Sequence, residues 1–187
     1  TYDSDLNLVY VGTGNPTPVL NGAARPGNNP WTCSIVALNP DTGKLVWGFQ
    51  ASPHDTHDWD ANEVPVLVDA QFHGQPRKML MQASRNGYFF VLDRTNGKSL
   101  LTKPFATVNW AKGIDSLGRP IPDPAKEPSR DGVLIAPDEG GAWAMRLFKS
   151  MSPESSNDAE RAVDNLGSAF ATSAFNDTTE LSSFCRD

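Results

Sequence analysis

Ile35-Val-Ala-Leu-Asn-Pro-Asp-Thr-Gly43-Lys44-Leu-Val-Trp47 occurs a second time as Tyr88-Phe-Phe-Val-Leu-Asp-Arg-Thr-Asn-Gly97-Lys98-Ser-Leu-Leu101. Both copies run from a strand-forming stretch through an amide or acidic residue and three spacers to Gly-Lys, then to an apolar residue three positions on. The glycine permits a positive φ in a tight hairpin, and Trp47 is large enough to wedge between neighbouring sheets. The spacing from Gly43 to Gly97 falls just above the roughly 40–50 residues of common propeller blades. Two unrelated hairpins with ordinary turn chemistry would give a similar pair of segments, and the rest of the chain decides between the two readings.

That remainder reads as all-β. Short β-branched or aromatic runs occur at Leu8–Val11, Ser34–Leu38, Leu45–Phe49, Val64–Val68, Lys78–Gln82 and Tyr88–Leu92. Turn residues separate them: Asn39-Pro-Asp-Thr-Gly43, Phe72-His-Gly-Gln-Pro76, Arg85-Asn-Gly87 and Asp93-Arg-Thr-Asn-Gly97. Strands this short at this spacing predict an antiparallel meander. A four-stranded blade cannot bury both faces alone, so each must stack on its neighbours. The chain of 187 residues holds two to three blades, which cannot close a ring. Thr1-Tyr-Asp-Ser-Asp5 has neither the basic start nor the apolar core of a signal peptide, and it is read as a cut end.

A formal net charge of -6 argues against nucleic acid or an anionic membrane as partner. No apolar run approaches the roughly 20 residues that span a bilayer. Cys33 and Cys185 fit no metal spacing.

Chemistry concentrates in Ser52-Pro-His-Asp-Thr-His-Asp-Trp-Asp-Ala-Asn-Glu63. Asp58 and Asp60 stand at i and i+2, and an extended backbone would point both carboxylates to one side. Such a pair repels unless a cation lies between or one carboxyl is protonated, which points to a hard metal ion, a general base or both. A solvated acidic turn is the plain alternative. His54 and His57 lack the further ligands of a zinc site, and His54 reads as a strut for the loop. Asp58-x-Asp60-x-Asn62 starts like an EF-hand loop but has Glu63 where glycine is required. Trp31 and Trp110 are expected to be packing residues, with reach into a substrate pocket the alternative for Trp110.

Taken with Gly12-Thr-Gly-Asn-Pro16, Arg25-Pro-Gly-Asn-Asn29, Ser52-Pro-His-Asp55 and Arg85-Asn-Gly87, the docking repeat Ala37–Trp47 resembles the large subunit of the pyrroloquinoline quinone (PQQ) methanol/ethanol dehydrogenases. The resemblance runs from the N-terminus to Gly141 and implies the middle of an eight-bladed propeller. By that resemblance Asn15 is a side-chain metal ligand and Asp58 is the catalytic aspartate and a member of the metal set. Asp60 falls on the extra acidic ligand of the lanthanide-dependent members, and Arg85 on the arginine that hydrogen-bonds the quinone. The metal is then a lanthanide, or Ca2+. The implied reaction is oxidation of a primary alcohol to its aldehyde with hydride passing to PQQ, in the periplasm, with a cytochrome c-type or other electron acceptor.

Other family features belong upstream of Thr1: a metal-binding glutamate, a tryptophan that stacks on PQQ, and an adjacent-cysteine disulfide. The isolated segment is expected to be inactive. Residues 142–187 lose the blade pattern, with a weak helix over Ser152–Ala169 and a polar end expected to be irregular or disordered; a shifted reading frame or a chimeric end would produce such a change. A different class remains open: a non-catalytic propeller scaffold, or an inactive remnant of the enzyme, either of which can keep the docking repeats.

Overall fold

The computed structural model describes residues 1–128, which build two four-stranded antiparallel sheets followed by a small hairpin. The first sheet is β1 (Tyr2–Asp3), β2 (Leu8–Gly12), β3 (Ser34–Leu38) and β4 (Leu45–Gln50), paired in chain order. The second is β5 (Val66–Phe72), β6 (Gln75–Ala83), β7 (Tyr88–Asp93) and β8 (Ser99–Pro104), again in chain order. β9 (Ala111–Ile114) and β10 (Pro120–Pro122) form the hairpin. Among the described residues, helix is confined to single 3-10 turns at Gly22–Ala24 and Pro124–Lys126. The expected boundary near Gly141 and the helix over Ser152–Ala169 lie outside the described residues.

The two copies of the repeat superpose in chemistry as well as in sequence. In the first, Gly43 donates its N–H to the Asn39 carbonyl at 2.8 Å while the Asn39 N–H reaches Lys44 O at 2.9 Å. In the second, Gly97 and Asp93 make the same bond at 2.8 Å, and Asp93 N–H reaches Lys98 O at 2.8 Å. Gly43 has φ +68 and Gly97 φ +74, the left-handed region a Cβ disfavours. Even the irregularity repeats: register shifts between Ala37 and Leu38 against β4, and between Val91 and Leu92 against β8.

Strand alternation then assigns faces. Tyr88, Phe90 and Leu92 of β7, with Leu80 of β6, meet Tyr10, Ile35, Ala37, Trp47 and Phe49 of the first sheet in the larger core. Their neighbours Phe89, Val91, Met79, Met81 and Ala83 point the other way, into a second core with Phe72 and Phe105. Both faces of the second sheet are thus apolar, as expected of a blade stacked between others. Trp47 makes the joint between sheets. Its indole N–H donates to the Arg94 carbonyl at 3.0 Å, and its ring lies where a Cβ on Gly97 would stand 2.5 Å from it.

Three expectations shift. The strand read over Val64–Val68 begins at Val66 and runs on to Phe72. Pro65 carries no N–H for the ladder, and the His73-Gly74 turn, with φ 50 and 72, lets pairing continue to Phe72 opposite Gln75. Trp31 does pack, its ring covering Gly48, but at the surface, where it is half exposed rather than enclosed. β8 had no place among the expected strands because Thr102-Lys103-Pro104 has little strand character; pairing with β7 imposes it.

Candidate functional site

The acidic stretch is the crossover from β4 to β5, and it lies against the end of β2. A Cβ on Gly12 would sit 1.8 Å from the Ala61 carbonyl, so only glycine lets the two backbones approach. Ala61 N–H then reaches Thr13 O at 3.0 Å. The Gly-Thr-Gly-Asn-Pro segment is therefore a bed for the acidic loop, and it delivers Asn15 to Asp60: Asn15 N–H donates to Asp60 Oδ1 at 2.7 Å.

Asp55 organises the loop from within. Its side chain is buried, with Oδ1 accepting His57 N–H at 3.0 Å and Oδ2 accepting Trp59 N–H at 3.2 Å. Burial pushes its pKa up, and those two amides oppose the shift without cancelling it. Arg25 holds the loop from outside, its guanidinium donating to the Asp55 and Val19 carbonyls and, at 2.6 Å, to Asn29 Oδ1. His54 Nδ1–H donates to Gly27 O at 2.6 Å and His57 Nε2–H to Lys126 O at 2.8 Å. Both histidines are struts. Cys33 is buried, its thiol pKa pushed up by burial and next by Asp55.

Held this way, Asp58 and Asp60 do not lie on an extended strand. Their φ values are +65 and +53, a left-handed conformation on either side of buried Trp59. The same-side argument from i, i+2 spacing therefore fails: the loop closes tightly around Asp55, and alternation belongs to extended backbone only. Asp58 is exposed, whereas the Asp60 side chain is 19% exposed.

Arg85 arrives from the second sheet, on the Ser84–Gly87 turn between β6 and β7. Asn86 locks this turn into the core. It is fully buried, donating to Ala51 O at 3.0 Å and Ser52 Oγ at 2.9 Å, while its carbonyl accepts Trp110 Nε1–H at 2.7 Å. Trp110 is a packing residue, as expected, ringed by Trp59 and Tyr88. Arg85 itself projects outward and half exposed, with Nη1 3.7 Å from Asp60 Oδ2. Glu63 Oε1 accepts the Arg85 backbone N–H at 2.8 Å.

Of the four residues singled out from sequence, the fold joins Asn15, Asp60 and Arg85 in one chain of contacts and leaves Asp58 at the loop surface beside them. Asn15, Asp58 and Asp60 carry side-chain oxygens, the ligand type a hard cation takes, but Asn15 meets Asp60 through its backbone N–H, and its side-chain amide donates to Pro16 O at 3.3 Å. Among the described residues, no three histidine, cysteine or acidic side chains converge on one point. Asp55, Asn86 and Glu63 were missed as site builders. Asn86 reads as hairpin chemistry and Glu63 as a failed EF-hand position, because the contacts that define them cross between sheets.

Two stacked antiparallel blades, joined by a docking tryptophan and carrying an oxygen-donor loop opposed by an arginine, define a segment of a quinoprotein-type β-propeller. The chain belongs to the PQQ family described as glucose/ethanol/alcohol dehydrogenase, beta-propeller domain, whose model matches residues 1–131. It is 48% identical over 123 residues to the quinohemoprotein alcohol dehydrogenase of Comamonas testosteroni, covering 65% of this chain and 17% of that protein. To the lanthanide-dependent methanol dehydrogenase of Methylorubrum extorquens it is 41% identical over 128 residues, 65% of this chain and 21% of the relative. The solved Comamonas testosteroni enzyme matches with a TM-score of 0.66 at 45% identity, over 70% of this chain and 20% of that one. A europium-containing methanol dehydrogenase matches with a TM-score of 0.69 at 37% identity, over 75% and 25%. The chain spans 17%, 22% and 24% of the length of three curated relatives it matches.

Proposed function

We propose that this chain is a central segment of a PQQ- and metal-dependent alcohol dehydrogenase that oxidises a primary alcohol to its aldehyde. The observation that supports the reading is the position of Asp60, whose carboxylate accepts the Asn15 backbone N–H at 2.7 Å and faces the Arg85 guanidinium at 3.7 Å, three separated segments brought to one place. A scaffold needs the docking repeats but has no use for that meeting.

When bound, PQQ supplies the two-electron hydride acceptor, and a hard cation beside it supplies Lewis-acid polarisation. The Asn15 side-chain oxygen and the Asp58 and Asp60 carboxylates would hold the cation. Asp60 adds the anionic ligand that favours a lanthanide over Ca2+, and its relatives include a protein named lanthanide-dependent methanol dehydrogenase. Arg85 presents a fork of donors to the quinone oxygens and to the negative charge that develops there. Asp58, exposed at the loop surface, accepts the alcohol hydroxyl proton at its carboxylate. A cytochrome c-type protein is the proposed electron acceptor, in keeping with a relative named 1-butanol dehydrogenase (cytochrome c), and the periplasm the proposed location. No helix among the described residues is long and apolar enough to cross a membrane.

The test is dye-linked oxidation of a primary alcohol by the full-length protein carrying this segment, with PQQ and either lanthanum or calcium. Activity favouring lanthanum, reduced by about a hundredfold or more in Asp58→Asn, is expected. Absence of turnover with either metal overturns the reading. The 187-residue chain alone is expected to show no turnover.

A further inference from the structure

Glu63 sits where the acidic loop is fastened to the Arg85 turn, and it takes no part in the proposed chemistry. Its side chain accepts the Arg85 N–H at 2.8 Å, and its own carbonyl accepts Gln82 Nε2–H at 2.6 Å. Gln82 reaches Ala61 O at 3.2 Å as well. These bonds are the direct hydrogen-bonded fastening between the acidic loop and the Ser84–Gly87 turn on the Arg85 side. Asn86 provides the other, to Ala51 and Ser52.

Stability does not explain the choice of a carboxylate. Glu63 Oε2 is buried without a hydrogen-bond partner, as are Gln82 Oε1 and Ser84 Oγ nearby in the chain. Burying a carboxyl with one oxygen unpaired costs free energy that an apolar side chain of the same length would not. A costly buried group beside a site arginine marks function more than packing. Burial also pushes the Glu63 pKa up, opposed by the Arg85 amide.

We infer that Glu63 is a positioning residue: by gripping the Arg85 amide it fixes the root of a long, half-exposed side chain so that its guanidinium stays aimed at the Asp60 side of the loop. The geometry gives Arg85 no other anchor of this kind. Its guanidinium pairs with Asp60 at 3.7 Å, too long to set direction alone. A shift of an ångström at the root carries through to the donor fork, and misplacement on that scale is costly in catalysis. The inference rests on the reading of Arg85 as the quinone-binding arginine, but the fastening itself can be measured without any cofactor.

The variant is Glu63→Met, which keeps the buried volume and removes the acceptor; Glu63→Gln, which keeps a side-chain carbonyl, is the rescue. Amide hydrogen exchange on the 187-residue chain is the first readout. In Glu63→Met the Arg85 amide should exchange about tenfold faster or more, with Phe90, Val91 and Leu92 of β7 unchanged and the unfolding midpoint equal or higher. Glu63→Gln should restore protection of Arg85. In the full-length enzyme, kcat should fall about tenfold or more in Glu63→Met with the KM for alcohol little changed, and recover in Glu63→Gln. Unchanged Arg85 exchange in Glu63→Met overturns the inference. So does general loosening of β7 with a lower midpoint, which would make Glu63 a structural residue. If the wild-type enzyme has no activity, the functional reading fails while the exchange result still decides whether Glu63 holds Arg85.

Discussion

The Asn39–Gly43 turn and the Asp93–Gly97 turn share backbone hydrogen bonds, a left-handed glycine and a bulge, yet one faces outward and the other buries its first two residues, Asp93 and Arg94, in a joint. At the first, Leu45 and Val46 are exposed, and nothing stands within 4 Å of a Cβ on Gly43. At the second, the residue in the place of Pro40 is Arg94, which is 5% exposed. Its carbonyl accepts both Trp47 Nε1–H at 3.0 Å and Tyr10 OH at 3.1 Å, and its side chain donates to Asp3 at 2.6 Å and to Asp69. The turn motif therefore makes the hairpin, and what is docked upon it makes the propeller. Trp47 and Leu101 extend the contrast. They are equivalent in the repeat, but Trp47 spans two sheets whereas Leu101 is half-buried against the second core.

The largest expected separation of the two copies comes from cutting those residues back. Trp47→Ala should cost about 3–5 kcal/mol, because it removes a large buried ring and a buried hydrogen bond together. Leu101→Ala should cost about 1–2 kcal/mol, since Leu101 is smaller and only partly buried against the core. Guanidinium denaturation of the two variants makes the comparison, and equal losses would break the assignment of the joint to Trp47.

Next comes charge. Burial alone would raise the Asp3 pKa, but the hydrogen bond and charge of Arg94, with the Leu6 and Asp5 amides, hold it below the usual carboxylate range. A carboxylate depressed on folding stabilises the native state above its unfolded pKa, and that contribution is lost as pH falls through the folded value. Asp3→Asn should therefore cost about 3 kcal/mol at neutral pH and flatten the acid limb of stability against pH. The corresponding change at the outward turn, Asp41→Asn, should stay within about 0.5 kcal/mol. Urea midpoints measured from pH 7 down to pH 2 test both.

The smallest separation is at the glycines. Gly97→Ala should cost about 2–3 kcal/mol, from left-handed backbone strain and the clash with Trp47. Gly43→Ala should cost about 1 kcal/mol, from the backbone alone. Thermal unfolding of the pair distinguishes them, and a double variant Gly97→Ala/Trp47→Ala should recover part of the Gly97→Ala loss.

Much of this architecture was legible in the sequence because its determinants are local. Glycine spacing, β-branched runs and the Asn/Asp turn heads announced the hairpins, and the strands at Ser34–Leu38 and Tyr88 onward fell where expected. The site was legible as residue types but not as geometry. Asp58-x-Asp60 looks like an alternating pair only while the backbone is assumed extended, and the burial of Asp55 is what curls it. Glu63, Asn86 and Arg94 carry long-range bonds whose partners lie far away in the chain, and no local pattern reports them. Arg94 in particular reads as an ordinary turn residue until the first sheet is placed over it.

The joint at Trp47 has a direction. The tryptophan belongs to one blade and the surface it enters belongs to the next, so donor and acceptor surfaces are different parts of the same repeating unit. Contacts of that head-to-tail kind impose the same rotation each time they recur, and either close into a ring or run on. At this joint the order of the two blades is set by the pair of surfaces that meet, without any element that recognises the whole. The two units are not interchangeable, since Leu101 stands where Trp47 does and Pro40 where Arg94 does. The acidic loop and the Arg85 turn are bound to the same order, because they come from consecutive blades and exist as a site only in that order.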